Sequence, residues 1–323
     1  MLQPPTDQGT ALQGEVIKAL LKDKRSERLW KNLRLFSVLG LALAYGMGAM
    51  LGAGSQDDDA PLDQLGQPLN YASVIRINGE ISAGNEASAE NLNPLLSKAF
   101  SDENAKGVVL VINSPGGTPV QAALIHDRIK QLKAEHKKKV IVVAEDMLTS
   151  GAYLIAVSAD KIIVNRSTLA GSIGVISHGF GFTGLMEKVG VERRTAQAGA
   201  NKNRMDPYGP VNAADKTKME STLTAIHEHF IAIVKAGRAG KLKGAEADLF
   251  TGDYWTGDQA LALGLVDEVS DLPSALKKEF GAEKMREYSN PRPIWERLTR
   301  TVTSEVMSTI SLQSSSQIKL LPR

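Results

Sequence analysis

The sequence predicts an α/β body with a largely parallel sheet, preceded by one apolar segment long enough to cross a bilayer. Short runs rich in β-branched residues recur at Val74–Ile77, Val108–Ile112, Val140–Ala144 and Ile162–Val164. Stretches of helical periodicity separate the first three. Strands that alternate with helices are joined by crossovers, and crossovers make neighbouring strands parallel. Further upstream, Leu35 to Ala53 is a run of 19 residues without a charge. At about 1.5 Å per residue it reaches roughly 30 Å, the thickness of a bilayer core.

Composition sets outer limits. The chain has 323 residues, enough for one large domain or two small ones. Hydrophobic residues make up 42% and charged residues 23%, ordinary for a globular protein. The net charge of +2 is too near neutral to suggest a nucleic-acid partner. The absence of cysteine excludes disulfides, a thiol nucleophile and cysteine-ligated metals.

Taken in order, residues 1–34 are polar and read as a cytoplasmic segment. Lys18, Lys22, Lys24, Arg25, Arg28, Lys31 and Arg34 precede the apolar run, and Asp57, Asp58, Asp59 and Asp63 follow it. Basic flanks stay on the cytoplasmic side, so 35–53 is expected to be a transmembrane helix with the body outside. A cleaved signal peptide is disfavoured because the run is longer than an ordinary apolar h-region and its leader is too long. A buried core helix is disfavoured by the charge asymmetry and by apolar character all round. Gly48 and Gly52 have a small-xxx-small spacing that suits helix pairing. Residues 54–71, rich in Gly, Pro, Asp and Gln, read as a linker.

The body is expected over 72–285. Pro119 to His136 reads as a helix with Ala122, Leu124, Ile125, Ile129 and Leu132 on one face. Ile173 to Ile176 reads as a further strand. Ala213 to Ala236 reads as a long helix that packs through Met219, Leu223, Ile226, Phe230 and Ile233. Gly257 to Leu263 reads as a helix capped by Gly264. Residues 286–323 read as a tail. No internal repeat is present, which predicts a single copy of the body.

Two of the strand ends carry the chemistry. Val108–Ile112 runs into Asn113-Ser114-Pro115-Gly116-Gly117, and Val140–Ala144 leads to Leu148-Thr149-Ser150-Gly151. One turn offers glycine amides with no side chain in the way; the other offers a hydroxyl at a helix start, where free amides and a positive dipole end suit a developing oxyanion. That is the layout of a nucleophile beside an oxyanion hole. The ordinary alternative for Ser150 is a helix N-cap, and for Gly116 and Gly117 a tight turn.

A serine nucleophile needs a base. Of the five histidines, His126 and His136 fall on one predicted helix and His227 and His229 on another, as surface or packing residues. His178 lies 28 residues after Ser150 in a Gly-rich loop and would make a conventional pair with it. Lys202, in Gly199-Ala200-Asn201-Lys202-Asn203, is the other candidate. A lysine acts as a base only when its site favours the neutral amine.

These motifs in this order resemble the bacterial signal peptide peptidase A family in its short, single-domain form, within peptidase family S49. The likeness runs from about Ala72 to Val269 and includes Ala170-Gly171-Ser172-Ile173-Gly174-Val175, Ala236-Gly237-Arg238 and most of Thr251–Val269. It implies a Clp/crotonase-like spiral of ββα units and a Ser150–Lys202 dyad. It makes Ser172 the residue that orients the lysine. It also assigns the oxyanion hole to the amides of Gly117 and Gly151, shaped by Gly116. No cofactor or metal is implied. Substrates would be apolar peptides such as remnant signal peptides, met at the periplasmic face of the inner membrane. The resemblance also implies a dome-like homo-oligomer, an octamer, with serine and lysine on neighbouring subunits.

Two other readings stay open: a Ser150–His178 protease, and a membrane-anchored scaffold of the same fold without activity. Acyl-CoA chemistry on such a fold lacks an acid pair to carry it. Gly179, Gly181 and Gly184 form no dinucleotide or P-loop fingerprint, and no His-Glu-x-x-His pattern is present.

Overall fold

The computed structural model describes residues 30–42 and 70–290. Residues 30–42 form a helix, α1, with every side chain exposed, Trp30, Leu35, Phe36 and Leu39 among them. The expected membrane segment 35–53 falls within the described residues only as far as residue 42. Among the described residues no helix is long and apolar enough to cross a membrane. The expected cytoplasmic segment up to residue 29, most of the linker and the tail beyond residue 290 lie outside the described residues.

The body alternates strands and helices as the periodicity predicts. Its order is β1 (Tyr71–Asn78), α2 (Ala89–Ser101), β2 (Val108–Ser114), α3 (Pro119–His136), β3 (Val140–Thr149), α4 (Gly151–Ala156), β4 (Lys161–Val164) and β5 (Leu169–Gly171). Then follow α5 (Thr183–Lys188), α6 (Ala213–Gly237), α7 (Glu246–Leu249), β6 (Tyr254–Thr256), α8 (Gly257–Ala262), β7 (Glu268–Val269), α9 (Leu272–Phe280) and β8 (Lys284–Glu287). β1 thus begins at Tyr71, the last residue of the expected linker, and β8 ends inside the expected tail.

The sheet order is β6-β5-β3-β2-β1-β8, with β4 also on β3 and β7 on β4. Every pairing is parallel except β5 with β6. β3 forks. Its first half, Ile141–Val143, pairs with β4, and its last three residues, Met147–Thr149, pair with β5. The fork keeps the end of β3 between β2 and β5, with Leu148 still paired to Ser114, while β4 leaves the main path.

Period-two alternation sends the strand side chains to two faces. Ile75, Ile77, Leu110, Ile112 and Val142 join the large core beneath α2, α3 and α4. Val74, Val109, Val111, Ile141, Val143 and Ile163 face the other way, onto Ala275 and Leu276 of α9. Both faces are buried, so the strands read as continuous apolar runs. Each such side chain contributes roughly 1.5–3 kcal/mol on burial.

Three packing expectations change. Leu124 sits 49% exposed, because the buried face of α3 is Ala122, Ile125, Ile129 and Leu132. Only the C-terminal half of α6 reaches the core, through Phe230 and Val234 with Ile233 packed against it as expected; Met219, Leu223 and Ile226 are half-buried. Ile173–Ile176 is no strand. The Ser172 amide donates to the Asp253 carbonyl and the Ile173 carbonyl lies 3.0 Å from His227 Nε2, which draws the chain off the sheet.

Candidate active site

Ser150 is the single residue between β3 and α4. Its backbone lies at φ 53° and ψ −123°, a conformation that suits glycine and costs an L-residue about 1–3 kcal/mol. Neighbours hold it there: its amide donates to the Gly171 carbonyl at 2.8 Å, and its carbonyl accepts from Leu154 at 3.0 Å. The N-cap alternative fails on geometry. Caps take extended backbone and bond a nearby amide, whereas Ser150 has positive φ and no side-chain capping bond. α4 has only six residues, so its free first amides matter more than its dipole.

The β3–β5 pairing places a second serine alongside. Thr149 is opposite Gly171, so Ser150 and Ser172 both stand one residue beyond a paired strand end. Ser172 also has positive φ, 51°. Its backbone is tied by its amide bond to Asp253 at 2.7 Å.

The glycine turn packs directly against Ser150. Ile81 clamps it: the Ile81 amide donates to Gly116 at 2.9 Å, and Thr118 donates to the Ile81 carbonyl at 2.8 Å. The Gly116 amide donates to Ser114 Oγ at 3.1 Å. A Cβ on Gly116 would meet Ser150 Cβ and the Gly151 nitrogen, each at 2.7 Å; one on Gly117 would lie 2.0 Å from the Ile81 carbonyl oxygen. A Cβ on Gly151 would lie 3.3 Å from the Gly117 nitrogen. Bare backbone is therefore what lets the two turns touch. The Gly117 and Gly151 amides, brought side by side, have no acceptor among the described residues.

A cavity of about 570 Å3 opens over this junction. Gly117, Ser150, Gly151 and Ser172 line one side; Ala123, Leu154, Ile226 and Phe230 give it an apolar wall. Glu80, His178 and His229 are its titratable residues. Gly116 packs behind the turn. Lys202 does not line the cavity; it is exposed, on a loop held by its own amide bond to Gly199 at 3.1 Å. The structure thus brings together five of the sequence candidates, Ser150, Ser172, Gly117, Gly151 and His178, and leaves Lys202 apart from them.

His229, expected as a surface or packing residue, lines the Ser150 cavity instead, whereas His126, His136 and His227 have packing or hydrogen-bond partners. His126 is buried, 2.8 Å from Asp127. Burial pushes its imidazole below the ordinary value, and the Asp127 carboxylate opposes the shift. His136 lies against Phe100, with ring centroids 6.3 Å apart. Among the described residues no group of three or more His, Cys, Asp or Glu side chains is placed to hold a metal ion.

Sequence reasoning missed Ile81 and the wall residues Ala123 and Leu154. Ile81 carries no chemical signal of its own; only the absence of a side chain on Gly117 hints that another strand passes close. Phe230 was legible as a buried helix residue but not as part of a pocket.

With this geometry in view, residues 132–285 match peptidase family S49. A protein of Brucella melitensis called Na(+)/H(+) antiporter NhaA is 46% identical over 213 residues, covering 64% of this chain and 29% of that protein. A putative signal peptide peptidase SppA of Enterococcus faecium is 31% identical over 216 residues, covering 65% and 62%. Protease 4 of Haemophilus influenzae is 30% identical over 282 residues, covering 81% and 45%. The chain spans less than two thirds of the length of each of these relatives.

Proposed function

We propose that this chain, whose residues 132–285 match peptidase family S49, is a serine peptidase with Ser150 as nucleophile. One observation carries this reading: Ser150 is held in a strained turn beside two unengaged glycine amides. Nucleophilic serines sit on such strand-to-helix turns because the turn presents Oγ outward. The relatives named as proteases support it; the antiporter name belongs to the Brucella protein.

The reaction follows from the parts. A neutral lysine amine takes the Ser150 hydroxyl proton while Oγ bonds to the peptide carbonyl carbon. The carbonyl oxygen becomes an oxyanion and accepts from the Gly117 and Gly151 amides. Collapse breaks the C–N bond, and the ammonium returns its proton to the leaving amine. Water, deprotonated by the same lysine, then attacks the acyl ester and frees Ser150. The apolar wall of Ala123, Leu154 and Phe230 suits apolar side chains, such as those of remnant signal peptides.

Lys202 is the base in this reading. Its position outside the Ser150 cavity of its own chain supports a shared site in which a second copy supplies it. Ser172, beside Ser150, would orient the incoming amine. A dome-like octamer of Clp/crotonase-type spirals, anchored through 35–53 with the body in the periplasm, accounts for both the shared site and the substrate. His178 is the second reading, because it lines the cavity with Ser150 in the same chain.

Full-length chain in detergent micelles, given a fluorogenic apolar peptide, separates these. Ser150→Ala and Lys202→Ala are each expected to be inactive, and a reassembled mixture of the two to regain turnover, since some sites then combine an intact serine with an intact lysine. Activity in Lys202→Ala with loss in His178→Ala would move the base to His178. Inactive wild-type assemblies would favour the scaffold reading. Gly117→Ala is expected to lower kcat by about 10²–10³-fold, the usual effect of losing one oxyanion donor, because its Cβ collides with Ile81. A melting curve checks that the variant is folded.

A further inference from the structure

Both asparagines that flank Lys202 are engaged. Asn201 Oδ1 accepts from Arg204 Nη2 at 2.8 Å, and Asn203 Nδ2 donates to Asp206 Oδ2 at 3.0 Å. Asp206 is the hub of this loop. Its side chain is 7% exposed, and it also takes Arg193 Nε at 2.8 Å and the Tyr208 amide at 3.1 Å. The hydrogen bonds from Asn203 and Tyr208 hold its carboxyl below the ordinary value, so the acceptor stays charged. The Arg193 guanidinium lies 5.0 Å over the Tyr208 ring, which stacks on Phe182 at 5.5 Å. The Phe182 amide donates to the Pro207 carbonyl at 2.7 Å. One carboxylate therefore ties its own turn, at Asn203 on one side and Tyr208 on the other, to a second stretch at Arg193. None of the three lies in a helix or strand.

We infer that Asp206 is a positioning residue for Lys202, acting through Asn203. This rests on the reading of Lys202 as the base. A lysine amine hangs on four rotatable bonds, and its reach is set by where its Cα is fixed. The Lys202 turn lacks secondary structure to fix it, and Asn203, the next residue, is tied to the one largely buried carboxylate of the loop. Misplacement of a catalytic group by about 1 Å costs on the order of 10²-fold in rate.

The test uses full-length Asn203→Ala, Asp206→Ala, Asp206→Asn and Lys202→Ala. Turnover of the fluorogenic peptide is measured per assembled particle, with the assembly followed by light scattering. Asn203→Ala and Asp206→Ala are expected to lose roughly 10- to 100-fold in kcat with KM within about twofold, the pattern of a transition-state defect rather than a binding defect. Asp206→Asn, which keeps an acceptor for Asn203, is expected to recover part of the loss. A merely structural role would reduce the assembled fraction and leave kcat per particle at the wild-type value; that result overturns the inference. If Asp206→Ala does not assemble, Asn203→Ala decides, since it cuts only the link between the hub and the lysine turn. Inactive Lys202→Ala beside fully active Asn203→Ala and Asp206→Ala sinks this inference alone. Active Lys202→Ala sinks the base reading and this inference together.

Discussion

Ser150→Gly is expected to be inactive and more stable than the wild-type chain. At φ 53° and ψ −123° a serine pays for its Cβ, whereas glycine enters this region freely. Relief of about 1–3 kcal/mol of strain outweighs the roughly 0.5–1 kcal/mol that glycine adds through the unfolded chain. The net gain is on the order of 1 kcal/mol, or about 2–4 °C in Tm for a body of this size. Turnover should fall on the order of 10⁶-fold, as when a serine nucleophile is removed elsewhere. Ser150→Ala, which keeps the Cβ, should be equally inactive with an unchanged Tm. A Ser150→Gly protein that melts below the Ser150→Ala protein would show that the turn is not strained.

Arg238→Met is expected to cost about 3–5 kcal/mol, the usual effect of breaking one half of a buried ion pair. Arg238 is 2% exposed. Its Nη1 donates to Asp267 Oδ2 at 2.7 Å, and its Nε and Nη2 both donate to the Gly264 carbonyl, at 3.0 and 2.6 Å. Asp267 also accepts from the Ile162 amide at 2.8 Å, so the pair fastens the end of α6 to β4. Methionine fills the space but removes both donors to the Gly264 carbonyl and leaves Asp267 with Lys241, at 2.8 Å, as its remaining cation.

The same pair sets an acid limit. Burial alone would raise the Asp267 pKa; hydrogen bonds from Arg238, Lys241 and the Ile162 amide outweigh it and hold the group below the ordinary carboxylate value. The pair's contribution is therefore present above the unfolded carboxylate pKa and is lost as pH falls through the depressed folded value. Without Arg238 the folded pKa rises, and acid unfolding should begin at higher pH. Urea midpoints at neutral pH and at about pH 3, below the unfolded carboxylate value, test both claims. A shift equivalent to less than about 1 kcal/mol at neutral pH would mean that the pair does not fasten α6.

Much of the body was legible because its signals are local. The bounds of α3 were readable from Pro119, which starts a helix at no hydrogen-bond cost, and from the loss of period after His136. The strands were readable from their β-branched runs. Ile173–Ile176 misled because its residues suit a strand, whereas the groups that tie its start, the Asp253 carbonyl on the Ser172 amide and the His227 ring on the Ile173 carbonyl, are distant in sequence. The first half of α6 has helical spacing, but spacing does not say how far the core extends. At the site, Ser150 and the Gly116–Gly117 turn were legible as neighbours of strand ends. The positive φ of Ser150, the Ile81 clamp and the position of Lys202 were not, because each depends on which surfaces meet in three dimensions.

The order of the elements has a consequence for biosynthesis. β1 is among the first parts of the body to leave the ribosome, yet β8, which covers its free edge, is the last described strand to follow. The face formed by Val74, Val109, Val111, Ile141 and Val143 likewise waits for Ala275 and Leu276. At about 5–20 residues per second, the nascent chain carries an open strand edge and a bare apolar face for many seconds. A product that stops short of Leu272 keeps both, as a ready substrate for chaperones and degradative proteases. Translation past β8 is thus marked by the disappearance of that sticky surface.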